Sequence, residues 1–224
     1  DNTSISASIS ADGRYVAFES SASNLVAGDT NGVWDVFVKD TQTGGIVRVS
    51  TDSGGTTQGN DDSFSPALSA DGRYVVFMSG ATNLAGVTVA DADIFLKDIQ
   101  TGVTTLLSTD SSGTAANDGS FSPTISADGR YVVFESHATN LVTGDTVSAV
   151  DIFLKDTQTD ATTLLSAHSI GTAGNNDSFS PVISADGRYV AFSSTATNLV
   201  AGDTNSERDV FVKDTQTDEL VRVS

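Results

Sequence analysis

An all-β fold, built from one unit used four times, follows from three observations. The stretch Ser65-Pro66-Ala67-Leu68-Ser69-Ala70-Asp71-Gly72-Arg73-Tyr74-Val75-Val76-Phe77 recurs at 122–134 and 180–192, and in altered form at 6–18. Each copy places Asp-Gly between two apolar runs. That is the strongest short-range hairpin signal, because both central positions of a two-residue turn favour positive φ. Between the turns Val, Ile, Thr, Phe and Tyr dominate, and no stretch shows helical periodicity.

The repeats run over 1–50, 51–108, 109–166 and 167–224, and the last three are 58 residues each. Each carries four strand-like segments; in the second repeat these are 64–69, 73–79, 93–98 and 104–108. Four strands per repeat with regular turn signals predict a four-stranded antiparallel sheet. Tyr74-Val75-Val76-Phe77 and Ile94-Phe95-Leu96 are continuous apolar runs rather than alternations. Such strands are covered on both faces, the condition met inside a β-propeller, where each blade lies between two others.

The eleven phenylalanines fall on three repeat positions: Phe64, Phe121 and Phe179; Phe18, Phe77, Phe134 and Phe192; Phe37, Phe95, Phe153 and Phe211. All are expected in the core, each burial contributing roughly 1.5–3 kcal/mol. Tyr15, Tyr74, Tyr131 and Tyr189 recur in the same way and read as packing between blades. The Asp of each Asp-Gly-Arg belongs to the turn, and its Arg is expected to bridge to the Asp of the Lys-Asp that ends the third strand.

Ser-Pro-x-x-Ser-x-Asp-Gly-Arg-Tyr-Val-x-Phe, then Asp-[Val/Ile]-Phe-x-Lys-Asp, then a strand ending in Leu-Ser or Val-Ser, resembles the TolB-like (PD40, WD40-like) propeller repeat over essentially the whole chain. Ala11, Ala70, Ala127 and Ala185 stand where that repeat usually has Pro, and the loop between second and third strands is unusually long. The resemblance implies a propeller used for binding and supplies no catalytic motif. The expected architecture is a single domain, 1–224, of four blades. A four-bladed ring is the first reading; half of an eight-bladed dimer and a fragment of a longer array are the others.

Composition narrows the partners. Eleven basic against 29 acidic residues give a net charge of −18, which argues against nucleic acid or an anionic membrane. No run approaches the roughly 18 apolar residues of a membrane span, so no insertion is expected. There is no cysteine, hence no disulfide framework. Beginning at Asp1, the sequence reads as a processed protein or an excised segment, extracellular or periplasmic in a bacterium.

The long loop carries the metal candidates. Asp29-Thr30-Asn31-Gly32-Val33-Trp34-Asp35 and Asp203-Thr204-Asn205-Ser206-Glu207-Arg208-Asp209 offer side-chain oxygens at positions 1, 3 and 7. Hard oxygen donors at that spacing suit Ca²⁺, so Asp29, Asn31, Asp35, Asp203, Asn205 and Asp209 are its expected ligands. An EF-hand is excluded, because the acid at position 12 would lie about 16 Å away along an intervening strand at roughly 3.3 Å per residue. The other copies are eroded: the second keeps Asp91 and Asp93, and the third keeps Asp145 and Asp151 with Val147 at the Asn position. Turn formation alone is the competing reading.

A second acidic group precedes each first strand: Asp61 and Asp62, Asp118, Asp177 and, more weakly, Asp1. In a closed ring these would surround one mouth of the channel and attract a cation or an amine. Capping of the following strand is the alternative. His137 and His168 lie at unrelated repeat positions, and no Gly-x-Ser-x-Gly elbow is present. The sequence therefore reads as a non-catalytic propeller module that engages a protein or glycan, with a homo-oligomer as one way to complete it. A propeller enzyme, the accessory propeller of a hydrolase or peptidase, and a purely structural amplified or engineered array are the alternatives.

Overall fold

The computed structural model describes residues 2–86, 91–145, 148–168, 171–205 and 207–224. Val87–Ala90, Thr146, Val147, Ser206 and Asp1, which figured in the loop and channel readings, lie outside them. Among the described residues there are sixteen strands and no helix. The first blade contains β1 (Ser4–Ile9), β2 (Tyr15–Ser20), β3 (Asp35–Asp40) and β4 (Ile46–Arg48); the second β5 (Ser63–Leu68), β6 (Tyr74–Ser79), β7 (Asp93–Asp98) and β8 (Thr104–Leu106). The third contains β9 (Ser120–Ile125), β10 (Tyr131–Ser136), β11 (Asp151–Asp156) and β12 (Thr162–Leu164); the fourth β13 (Ser178–Ile183), β14 (Tyr189–Ser194), β15 (Asp209–Asp214) and β16 (Leu220–Arg222). Each blade is an antiparallel meander in chain order, as the repeat predicts.

The chain forms two compact units, Asp1–Leu107 and Ser108–Ser224, each holding two blades. In the first unit β5 lies on β1, β2 and β3; in the second β13 lies on β9, β10 and β11. The tyrosines make these seams. Tyr15 packs on Gly72, and Tyr131 packs on Gly187. The hairpin tips meet there as well, Ala11 N–H donating to Ala70 O and Ala127 N–H to Ala185 O, each at 2.9 Å.

Within a blade the central strands hold the core. Phe18 faces Phe37 across the ladder and stacks on it at 5.8 Å, and the pairs Phe77–Phe95, Phe134–Phe153 and Phe192–Phe211 repeat the arrangement. The first-strand phenylalanines differ from expectation. Phe64, Phe121 and Phe179 are only half-buried, because their strands lie at the blade edge. Each is covered by a different neighbour: Trp34, His137 and Arg208. His137 is thus an edge-on aromatic contact rather than a free surface group.

The hairpin turn also differs. Gly13, Gly72, Gly129 and Gly187 have positive φ, and the preceding aspartates do not. The turn is the four-residue Ser-Ala-Asp-Gly, closed by Gly13 N–H to Ser10 O at 2.9 Å, so only its last residue needs the left-handed region. The aspartate works through its side chain: Asp12 Oδ1 accepts from Ser10 Oγ at 2.7 Å and from Arg14 N–H at 2.9 Å. The expected Arg bridges are present in all four blades: Arg14–Asp40, Arg73–Asp98, Arg130–Asp156 and Arg188–Asp214, at 2.7–2.9 Å.

Candidate functional site: the acid loops at the blade ends

The long loops bring their acids to an arginine. In the first blade Asp29 and Asp35, the two ends of the Asp-x-Asn-x-x-x-Asp stretch, both accept from Arg48 Nη1, at 3.1 and 3.4 Å. Arg48 ends β4, which pairs with β3 so that Arg48 faces Phe37, and this places its guanidinium over the start of β3. Asn31 donates to Asp35 Oδ2 and to Gly59 O, each at 3.0 Å, tying the loop to the linker. Ser50 Oγ donates to Asp35 Oδ1 at 2.5 Å. Burial pushes the Asp35 carboxyl up, and Ser50, Asn31 and Arg48 hold it down.

The fourth blade repeats the plan. Arg222 Nη1 reaches Asp203 at 3.1 Å and Asp209 at 3.3 Å, and Ser224 Oγ donates to Asp209 Oδ1 at 3.0 Å. Asn205 turns elsewhere and accepts from Glu207 N–H at 3.0 Å. Sequence reasoning found the acids and missed their cation. The signal was available: Arg48 and Arg222 stand at one repeat position, where the other copies have Leu106 and Leu164.

The third blade keeps both acids without the arginine. Asp145 and Asp151 are buried, and Leu164 occupies the arginine position. Ser166 Oγ donates to Asp151 Oδ1, while Asp151 Oδ2 is buried with no hydrogen-bond partner. Burial, first, and the charges of Asp145 and Asp177 push this carboxyl up to about 7, against the bond from Ser166. In the second blade Asp91 is exposed and accepts from the next backbone N–H, that of Ala92, while Asp93 is buried. Among the described residues no three His, Cys, Asp or Glu side chains gather closely enough to hold a metal ion.

The acids before each first strand serve the backbone. Asp61 accepts from Asp62 N–H and Asp118 from Gly119 N–H, each at 2.8 Å. Asp62 and Asp177 reach the neighbouring blade instead, accepting from Trp34 N–H at 2.8 Å and Val150 N–H at 2.9 Å. Beside them a repeated asparagine lattice locks linker to loop: Asn60, Asn117 and Asn175 each exchange side-chain and backbone bonds with a Thr-Asn pair, 82–83, 139–140 and 197–198. A cleft lies at each seam: one beside Tyr15, Asp71 and Arg73 in the first unit, and one of about 240 Å³ between Tyr131, Asp156 and Arg188 in the second.

No family model and no curated protein matches the sequence. Among solved structures the chain is similar to TolB from Acinetobacter baumannii, at 16% identity over 100% of this chain and 44% of that one, with a TM-score of 0.57. It is also similar to the β-propeller domain of the Trilobed protease from Pyrococcus furiosus, at 9% identity over 100% and 57% of the chains and a TM-score of 0.56. A prolyl endopeptidase gives 14% identity over 99% and 28%, with a TM-score of 0.57. The chain spans less than two thirds of each of these proteins. Its four sheets are blades of the β-propeller fold that TolB and the peptidase propellers share, as the repeat resemblance implied.

Proposed function

We propose that the chain is a non-catalytic binding module that meets a positively charged protein surface, or a glycan, through the exposed linkers of its blades. The observation that carries this reading is how the acids are divided. The acids that end the third strands and those of the first and fourth long loops are occupied by arginines inside the blades. Asp61 and Asp118, with Asn60, Asn117 and Asn175, stand exposed in the linkers. With a net charge of −18 behind them, these linkers attract cationic partners. An extracellular or periplasmic location belongs to the same proposal and rests on the likeness to TolB. Calorimetric titration tests it, with a lysine-rich peptide and a neutral oligosaccharide as probes at low and high salt. The peptide is expected to bind, to weaken with salt and to weaken again in Asp61→Lys/Asp118→Lys; failure of both probes sinks the reading.

Calcium enters at the third blade. There Asp145 and Asp151 lack the arginine that serves the other two complete loops, and Asp151 Oδ2 has an open acceptor. Two carboxylates and water would make up the oxygen shell of a Ca²⁺ ion. A ligand that binds only the folded chain raises its unfolding midpoint. The midpoint is expected to rise with Ca²⁺ over EDTA in the wild type and not in Asp151→Asn. An unchanged wild type removes calcium.

The likeness to a prolyl endopeptidase favours a second reading, the accessory propeller of a peptidase. Its test is peptide hydrolysis by a longer polypeptide that contains this chain.

A further inference from the structure

The chain makes the same seam twice, and it carries an unused copy of each half. In the second unit Ile152, Leu154 and Leu165 of the third blade are buried with Val190 and Phe192 of the fourth, and the partly buried Tyr131 and Ile183 pack against them. In the first unit Tyr15 lies on Gly72, and Leu68 N–H donates to Ser8 Oγ at 3.1 Å.

The leading face of the first blade has no such cover. Ile9 is 62% exposed, whereas Leu68, its counterpart beneath the first blade, is 8% exposed. Gly13 has φ +73 and open space where Gly72 and Gly187 each carry a tyrosine ring. On the trailing face of the fourth blade, Tyr189 is 42% exposed. Val210 is 41% exposed, against 0% for Val36 and Ile152 at the same repeat position. Val223 is 58% exposed, against 1% for Val49 and 2% for Leu165.

We propose that the trailing face of the fourth blade docks on the leading face of the first blade of a second copy of this chain, seating Tyr189 on Gly13. The occupant follows from the repeat. The open trailing face carries the residue types that the chain buries under its own next blade, and the open leading face carries those buried under the previous one. Burying such apolar side chains drives the contact. The contact is heterologous, so it closes into a ring or runs on as a filament. The expected assembly is a dimer in which each copy offers one open face and receives the other. The hairpin tips would then add the bond next in the series, Ala185 N–H to Ala11 O of the partner copy.

Light scattering behind size exclusion tests this on the full chain. The mass expected is twice the 23.0 kDa of one copy. Gly13→Asn keeps a residue that tolerates positive φ while filling the space under the tyrosine, and Tyr189→Ala removes the ring; either should return the mass to one copy. The register is read from cysteines, since the chain has none of its own. A mixture of Ala11→Cys and Ala185→Cys chains should form a disulfide-linked dimer, and Ala11→Cys alone should not. A single-copy mass for the wild type overturns the proposal, as does a mixture that fails to cross-link or an Ala11→Cys chain that cross-links to itself.

Discussion

Tyr15 lies so close to Gly72 that a Cβ on the glycine would stand 2.3 Å from its ring. Gly72 also has positive φ, as does Gly44, around which there is open space. The two positions separate backbone strain from packing. Gly44→Ala should cost about 1 kcal/mol from conformation alone. Gly72→Ala should cost roughly 1–3 kcal/mol more, because the tyrosine must leave its seat between the blades. Urea midpoints of the two variants are the measurement, and equal losses would remove the tyrosine seam from the account of stability.

Two sets of carboxyls pull the pH dependence in opposite directions. Arg73 and Arg130 hold Asp98 and Asp156 at about 2, below the usual carboxylate value. Their stabilisation is complete above about pH 4 and is lost as the pH falls towards 2. Asp151, raised to about 7, behaves oppositely: the folded state keeps a proton that the unfolded chain releases near pH 4. Stability should therefore fall as the pH rises from about 4 to 7, and Asp151→Asn should flatten that slope. At pH 8 the variant should be more stable than the wild type by about 1–3 kcal/mol. Unfolding in EDTA across pH 3–9 checks both arms; a wild type with no slope between pH 4 and 7 rules out the buried acid.

Glu19 belongs to the first seam. Its Oε2 accepts from Ser65 N–H at 2.6 Å and its Oε1 from Ser6 Oγ at 2.9 Å. Ser65 sits at a bulge with φ +53, so its N–H has left the ladder and needs this acceptor. Glu135 does the same for Ser180 N–H at 2.7 Å. Glu19→Ala should lose about 1–2 kcal/mol. Amide exchange at Ser65 should accelerate while exchange at Ser180 stays slow; unchanged protection at Ser65 would show the bond to be incidental.

How much of this was legible depends on the range of each interaction. Blades, strand order and the Arg–Asp bridges lay within one repeat, where periodicity and turn residues speak directly. Asp93–Asp98 could be placed to the residue because Asp93 and Lys97-Asp98 bracket the continuous apolar run Ile94-Phe95-Leu96. The half-burial of Phe64, Phe121 and Phe179 was not legible, since it depends on what a different element lays over the blade edge. The acid loops mixed the two cases. Asp29 and Asp35 were visible as a spaced oxygen set, but Arg48 lies 13 residues beyond Asp35 and reaches it only through β-pairing. In the first and fourth blades the acids of these loops are paired with an arginine of the same repeat.

That arginine can be exchanged between blades. Arg48→Leu gives the first blade the residue of the third and strands Asp29 and Asp35, both buried, without positive charge. Removing one partner of a buried pair leaves an uncompensated charge, and a loss of about 3–5 kcal/mol is expected at neutral pH. Much of it should be recovered on acidification as Asp35 takes up a proton. Leu164→Arg makes the reverse change, bringing a guanidinium to Asp145 and Asp151 in the geometry that Arg222 has towards Asp203 and Asp209. The third blade should then lose both the slope between pH 4 and 7 and any response to Ca²⁺, because the arginine takes the place of proton and metal alike. Thermal unfolding of the two variants, with Ca²⁺ and with EDTA, at pH 5 and pH 8, reads all of these effects. If Leu164→Arg keeps the wild-type pH slope, the loop acids are not governed by the residue that ends the fourth strand.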